Sequence, residues 1–139
     1  MSTDTSLSRS SSVSVDKEAK KAVYKDFNKA LKTFIREMMV VYPEVKELKM
    51  MIAMYKVIKT ISYKRPQRIF NSFVAEKYSQ NIIDGDFDVF LQESFTYDGF
   101  NDICDGLKKA FKEVDEQNKK IIRDHLLVLL CLNKKCLEI

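Results

Sequence analysis

The sequence predicts an all-α fold: a compact bundle of about five or six helices behind a disordered N-terminal tail. Three observations carry that expectation. The chain has 139 residues, 45% of them apolar and 32% charged, which suits one soluble domain with a core of its own. It has only three glycines and two prolines, too few for the closely spaced turns of a many-stranded β fold. Its apolar residues recur at steps of three and four along most of the length, the spacing that gathers them on one side of a helix.

Residues 1–15 are expected to form the tail, and residues 16–139 the single helical domain. Met1 to Ser14 holds seven serines and two threonines, too little apolar surface to offset the entropy of ordering. Asp16 is placed to cap a helix carrying Val23, Phe27, Leu31, Phe34, Ile35, Met38 and Val41 as one stripe. Pro43 and Glu44 suit the first turn of a second helix, expected from Pro43 to about Ile61. Within it Leu48, Met50, Met51, Ile52, Met54, Tyr55, Val57 and Ile58 put apolar groups on nearly every face, so the helix is expected to be central or covered by a partner.

Lys64, Arg65 and Pro66 interrupt that helix, and Ile69, Phe70, Phe73 and Val74 then predict a short third one starting at Pro66. A loop is expected over Asn81 to Asp88, with Asp84, Gly85 and Asp86 as turn and cap residues. Phe87, Phe90 and Leu91 suit a short helix. After a turn at Tyr97, Asp98 and Gly99, the residues Phe100, Ile103, Leu107, Ala110, Phe111 and Val114 restore the helical period. Asp115 reads as a fresh N-cap, and the last helix, through Ile122, Leu126, Leu129 and Leu132, is expected to be deeply buried.

Several chemistries lack their residues. Cys104, Cys131 and Cys136 form no C-x-x-C pair, so a disulfide framework is not expected and an intracellular, reducing compartment is. The N-terminus has no apolar signal region, and the longest apolar run, Leu126 to Leu132, is too short for a bilayer, so no membrane span is expected. Gly85, Gly99 and Gly106 approach no phosphate-binding loop spacing. Asp84, Asp86 and Asp88 imitate the start of a calcium loop, but Val89 stands where its glycine belongs and Phe95 where its closing glutamate belongs. His125, the sole histidine, reads as a packed or edge-exposed side chain, and Cys131 and Cys136 as small apolar residues. No pair of groups has the spacing that acid–base or nucleophilic work needs, so a non-enzymatic protein is expected, with no cofactor, no metal and no catalytic residues.

Charge is the feature that points toward function. From Leu48 to Ala75 there is no acid, while Lys49, Lys56, Lys59, Lys64, Arg65 and Arg68 make the segment plus six; these six are the candidate interaction patch. From Glu76 to Asp105 there are eight acids against Lys77 alone. Such segregation steers partners or pairs copies basic face to acidic face. Tyr55, Tyr63 and Phe70 interleave the basic segment and raise nucleic-acid binding as an alternative, though the chain's net charge is only +4. Met38, Met39, Met50, Met51 and Met54 suit core gaps or an adaptable surface, and the apolar total is generous for one small bundle, which leaves surface for another protein.

Two stretches, Phe34 to Ile61 (FIREMMVVYPEVKELKMMIAMYKVIKTI) and Phe111 to Leu132 (FKEVDEQNKKIIRDHLLVLLCL), resemble small helical proteins of uncharacterised function found in large DNA viruses of algae and protists. The resemblance spans most of Val23 to Leu132, rests on pattern rather than on a diagnostic motif, and brings no site residues with it. It implies a viral protein acting in an infected cell or in the virion, as a minor capsid or internal component. The expected function is therefore a structural or protein-interaction module whose partners are virion proteins or a second copy. The alternatives are a nucleic-acid-associated protein using residues 48–75 and a helical-bundle host-interference protein.

Overall fold

The computed structural model describes residues 2–86, 108 and 114–139, with backbone alone for residues 2–16. The expected helix at Phe87 to Leu91, the turn at Tyr97 to Gly99, most of the helix from Phe100 to Val114, Asp88 and Cys104 lie outside the described residues. The described residues are helical with no strand: α1 (Ser2–Val41), α2 (Lys46–Ile61), α3 (Arg65–Phe70), α4 (Glu76–Asp84) and α5 (Glu116–Glu138). A π-helical turn, Asn71–Ala75, joins α3 to α4 without a break, so the described residues lie in four rods.

The first rod differs from expectation at its start. Where the sequence suggests a mobile tail capped off at Asp16, the backbone is helical from Ser2. No glycine or proline occurs before Pro43, and serine costs only about half a kcal/mol per position in a helix, so nothing in the chain forces a break at Asp16. The stripe itself forms as predicted, with Phe27, Ile35 and Met38 buried and Val23, Leu31 and Phe34 packed against the core. Val41, by contrast, is exposed.

Pro43 does not open α2. Pro43 and Glu44 form a tight turn in which the Val45 N–H donates to the Tyr42 carbonyl at 3.1 Å. Val45 is extended at φ −83° and ψ 95°, and the helix starts at Lys46. Its end at Ile61 is where the sequence places it. Pro66 lies in the first turn of α3, as expected of a residue with no N–H to lose.

The loop expected from Asn81 begins later, because α4 continues to Asp84. Gly85, at φ 74°, ends it in the left-handed conformation. Its N–H donates to Ile82 and the Asp86 N–H to Asn81, at 3.1 and 2.8 Å, which is the Schellman arrangement. Arg123 of α5 completes the cap by donating from Nε and Nη2 to the Ile82 and Ile83 carbonyls, placing a cation at the negative end of the helix dipole. A Cβ at Gly85 would meet Arg123 only at an ordinary 3.7 Å, so the cost of Gly85→Ala is conformational. Thermal unfolding of that variant should show a loss of about 1–2 kcal/mol.

Asp115 caps α5 as predicted, its Oδ1 accepting from the Asn118 N–H at 2.8 Å. The deep burial expected of α5 holds on one face only. Ile122, Leu126, Leu129, Asn133 and Cys136 are buried at steps of three and four, whereas Val128 and Leu137 are exposed. This helix lies along α1 and also meets α3, the π turn and α4, while α2 packs on α1 and α3. The core thus sits between α1, the α3–α4 rod and α5, where the Phe27 ring meets Phe70 edge-on at 5.3 Å. No helix among the described residues is long and apolar enough to cross a membrane.

Candidate interaction surface

Helix α2 is not central. Only Leu48 and Tyr55, seven residues and two turns apart, are buried on it. The Tyr55 hydroxyl donates to the Asn28 carbonyl at 3.0 Å, and the Asn28 side-chain amide donates to the Tyr63 carbonyl at 2.9 Å, which pins α2 and its C-terminal turn to one flank of α1. Burial raises the Tyr55 pKa above the ordinary tyrosine value, so this hydroxyl stays a donor at neutral pH. On the opposite side of α2, Met50, Val57 and Ile61 are 48%, 61% and 64% exposed. Their spacing of seven and four makes one apolar stripe facing away from the core, with the exposed Lys49 and Lys56 along one border.

The six predicted basic residues do not form one patch. Lys49, Lys56 and Lys59 are exposed on α2, and Arg65 and Arg68 on α3. Lys64 is half-buried, its ammonium 5.8 Å from the centre of the Tyr24 ring and 5.9 Å from that of Tyr63. Those two tyrosines meet edge-on at 5.8 Å, and Lys21 approaches Tyr63 from α1 at 5.7 Å. Lys59 in turn lies over the Tyr55 ring at 6.0 Å. The aromatic residues of the segment therefore serve packing and cation–π contacts within the fold.

What the basic segment gains in three dimensions comes from α1. Lys32 has its pKa lowered first by neighbouring Arg36, then by partial burial, then by Lys59 and Lys56 of α2. Lys56 and Lys59 thus join Lys32 and Arg36 in one cationic group. Lys21, Lys25, Lys29, Lys32 and Arg36 recur at steps of four, four, three and four, and so follow one flank of α1. That spacing was readable in the sequence, but the apolar stripe of the same helix dominates its pattern.

Elsewhere the described residues hold little that resembles a reactive centre. His125 pairs through Nε2 with Glu37 Oε2 across α1 and α5, and its ring stacks on Phe34 at 5.3 Å and 26°. No hydroxyl or thiol among the described residues bonds to it. Beside this pair is a small, mostly apolar groove with about 10 Å³ of water-accessible space, room for roughly one water and far below the usual 300–1,000 Å³ of a ligand pocket. Tyr42 and Asn118 line it; the buried Tyr42 hydroxyl has no close hydrogen-bond partner, and burial and then Asp115 raise its pKa against a smaller lowering by the nearby Asn118 side chain.

Cys131 is exposed, and Cys136 is buried, which raises its pKa and keeps it a thiol. Asp84 accepts from the Gln80 side chain at 3.0 Å at the end of α4, not at a helix start. Among the described residues no group of three or more His, Cys, Asp or Glu side chains could hold a metal ion.

The fold and surface define an all-helical chain with an open apolar stripe on α2 and a cationic face between α1 and α2. Comparison with known proteins finds no matching family model, no matching curated protein and no matching solved structure.

Proposed function

We propose that this chain is a non-enzymatic protein-interaction module that docks through the outer side of α2. The observation that carries the reading is the stripe of Met50, Val57 and Ile61, half to two-thirds exposed opposite the buried Leu48 and Tyr55. Each ~100 Å² of such surface covered by a partner is worth about 2.5 kcal/mol before the costs of association. The occupant that fits is a protein segment with apolar side chains bordered by carboxylates, since the exposed Lys49 and Lys56 run along the border of the stripe. A second copy supplies one such segment, because eight acids fall between Glu76 and Asp105. The resemblance to small helical proteins of large DNA viruses supports placing the module in a virus particle, as a minor capsid or internal protein.

Sedimentation of the purified chain should show association that grows with concentration and weakens with salt. Val57→Glu with Ile61→Glu should return it to the monomer without lowering its unfolding midpoint, because both positions are exposed. A chain that stays monomeric at high concentration, and that gives no protein crosslinks from a photoreactive residue at position 57 in purified particles, ends this reading. Mass spectrometry of the particles tests the virion setting separately.

A further inference from the structure

We infer that the face formed by α1 and α2 is a binding surface for the phosphate backbone of nucleic acid, with Lys25, Lys29, Lys32 and Arg36 along one row and Lys56 and Lys59 along the other. The α1 row from Lys21 to Arg36 covers fifteen helical steps, about 22 Å of axis. The two bonds between Asn28 and the α2 segment set the rows beside each other, Tyr63 lying opposite Tyr24 and Tyr55 reaching the backbone at Asn28. Lys25, Lys29, Arg36, Lys56 and Lys59 are all exposed.

Nothing in the described fold neutralises these charges. The ion pairs among the described residues are Lys119–Glu116, His125–Glu37 and Lys134–Glu138, none of which touches either row. Asp26 and Glu37, the acids on this stretch of α1, fall on the next flank round the helix, and Glu37 is held by His125. Lys32 has its pKa lowered first by Arg36 of its own row and, after partial burial, by Lys59 and Lys56 of the other, in keeping with the placement of the rows side by side. Among the described residues these like charges are thus held together without an ion-paired counter-charge, and an external polyanion is the ligand that such a field concentrates.

The chemistry of the face favours nucleic acid over the other polyanions. A membrane-surface helix inserts exposed apolar side chains between its cations, and from Lys25 to Arg36 no large apolar residue is exposed. A protein interface takes most of its energy from a desolvated apolar centre, and the apolar stripe of α2 lies on another side of that helix. Phosphate neutralisation needs neither. The modest net charge of +4 does not oppose the inference, because the local field depends on how the charges are arranged.

The test uses the full chain with a fluorescent 20-mer, as duplex and as single strand, followed by anisotropy at 50 and 200 mM salt. Six phosphate contacts predict a slope of log affinity against log salt near −5 for duplex, hence about a 10³-fold loss between those concentrations. Lys32→Glu with Arg36→Glu should weaken binding at 50 mM salt and flatten the slope by about two units, with an unfolding midpoint equal to or above the parent's because repulsion is relieved. Lys134→Glu with Lys135→Glu, the same change in net charge at the C-terminal end of α5 and outside both rows, should leave affinity within about threefold. Absence of binding at 50 mM salt, or equal loss in the two double variants, overturns the inference. So does binding to phosphatidylserine vesicles with none to either oligonucleotide, which would assign the face to a membrane.

Discussion

Phe27→Ala should be among the most destabilising single substitutions in the chain, costing about 3–5 kcal/mol. Phe27 is 0% exposed and stands where α1 meets the α3–α4 rod, its ring edge-on to Phe70. Truncation removes a buried aromatic payload and leaves a cavity that three rods must close together, which a packed core does only in part. At this chain length the loss corresponds to a midpoint about 10–15 °C lower by calorimetry. Should the alanine variant fail to accumulate, Phe27→Leu keeps most of the volume and should lose about 1–2 kcal/mol. Val57→Ala, at a position 61% exposed, should stay within about 0.5 kcal/mol of the parent. A cost below about 1 kcal/mol for Phe27→Ala would mean that the stripe of α1 is not the centre of the core.

The stripe was legible in the sequence because seven apolar residues repeat at helical spacing with no glycine or proline among them. The cap of α5 was legible for a similar reason: Asp115 stands just before a periodic run, and its carboxylate meets the Asn118 N–H. Boundaries that depend on backbone conformation were less so. Pro43 is equally at home in a turn and in the first turn of a helix, and only the extended Val45 decides between them. The stretch from Asn81 read as a loop because Asp84, Gly85 and Asp86 are turn and cap residues, yet the same glycine, with Arg123 brought from α5, is what lets the helix run to Asp84. The apolar breadth of α2 was visible, but whether it marks a central helix or an open one depends on which neighbours cover it. The basic segment was visible too, whereas its partition was not: Lys56 and Lys59 turn toward α1 while Arg65 and Arg68 go elsewhere, a consequence of the turn at Ser62 to Lys64.

The buried amides of the α3–α5 contact were missed, although Asn133 interrupts the apolar series Leu126, Leu129, Cys136 at helical spacing. Gln67 and Asn133 are 2% and 4% exposed, and the Gln67 amide donates to Asn133 Oδ1 at 2.8 Å. Asn133 Nδ2 donates onward to Asn71 Oδ1 at 3.0 Å, and the Asn71 amide reaches the exposed Glu76 at 3.1 Å. The chain of bonds therefore starts in the dry core and ends at solvent.

Asn133→Ala should cost about 2–4 kcal/mol, since it leaves the Gln67 amide buried without a partner and opens a cavity beside it. Asn71 has water and Glu76 within reach and adds little to that loss. Gln67→Met combined with Asn133→Leu removes both ends of the buried bond and keeps its volume, so the double variant should be more stable than the sum of the single losses by about 1–3 kcal/mol. Chemical denaturation of the four proteins in that cycle measures the coupling. Additive losses would show that the two amides contribute independently. A double variant that unfolds cooperatively at near-parental stability, but exchanges the amide hydrogens of α3 faster, would show that the bond fixes the register of α3 on α5 rather than holding the fold together.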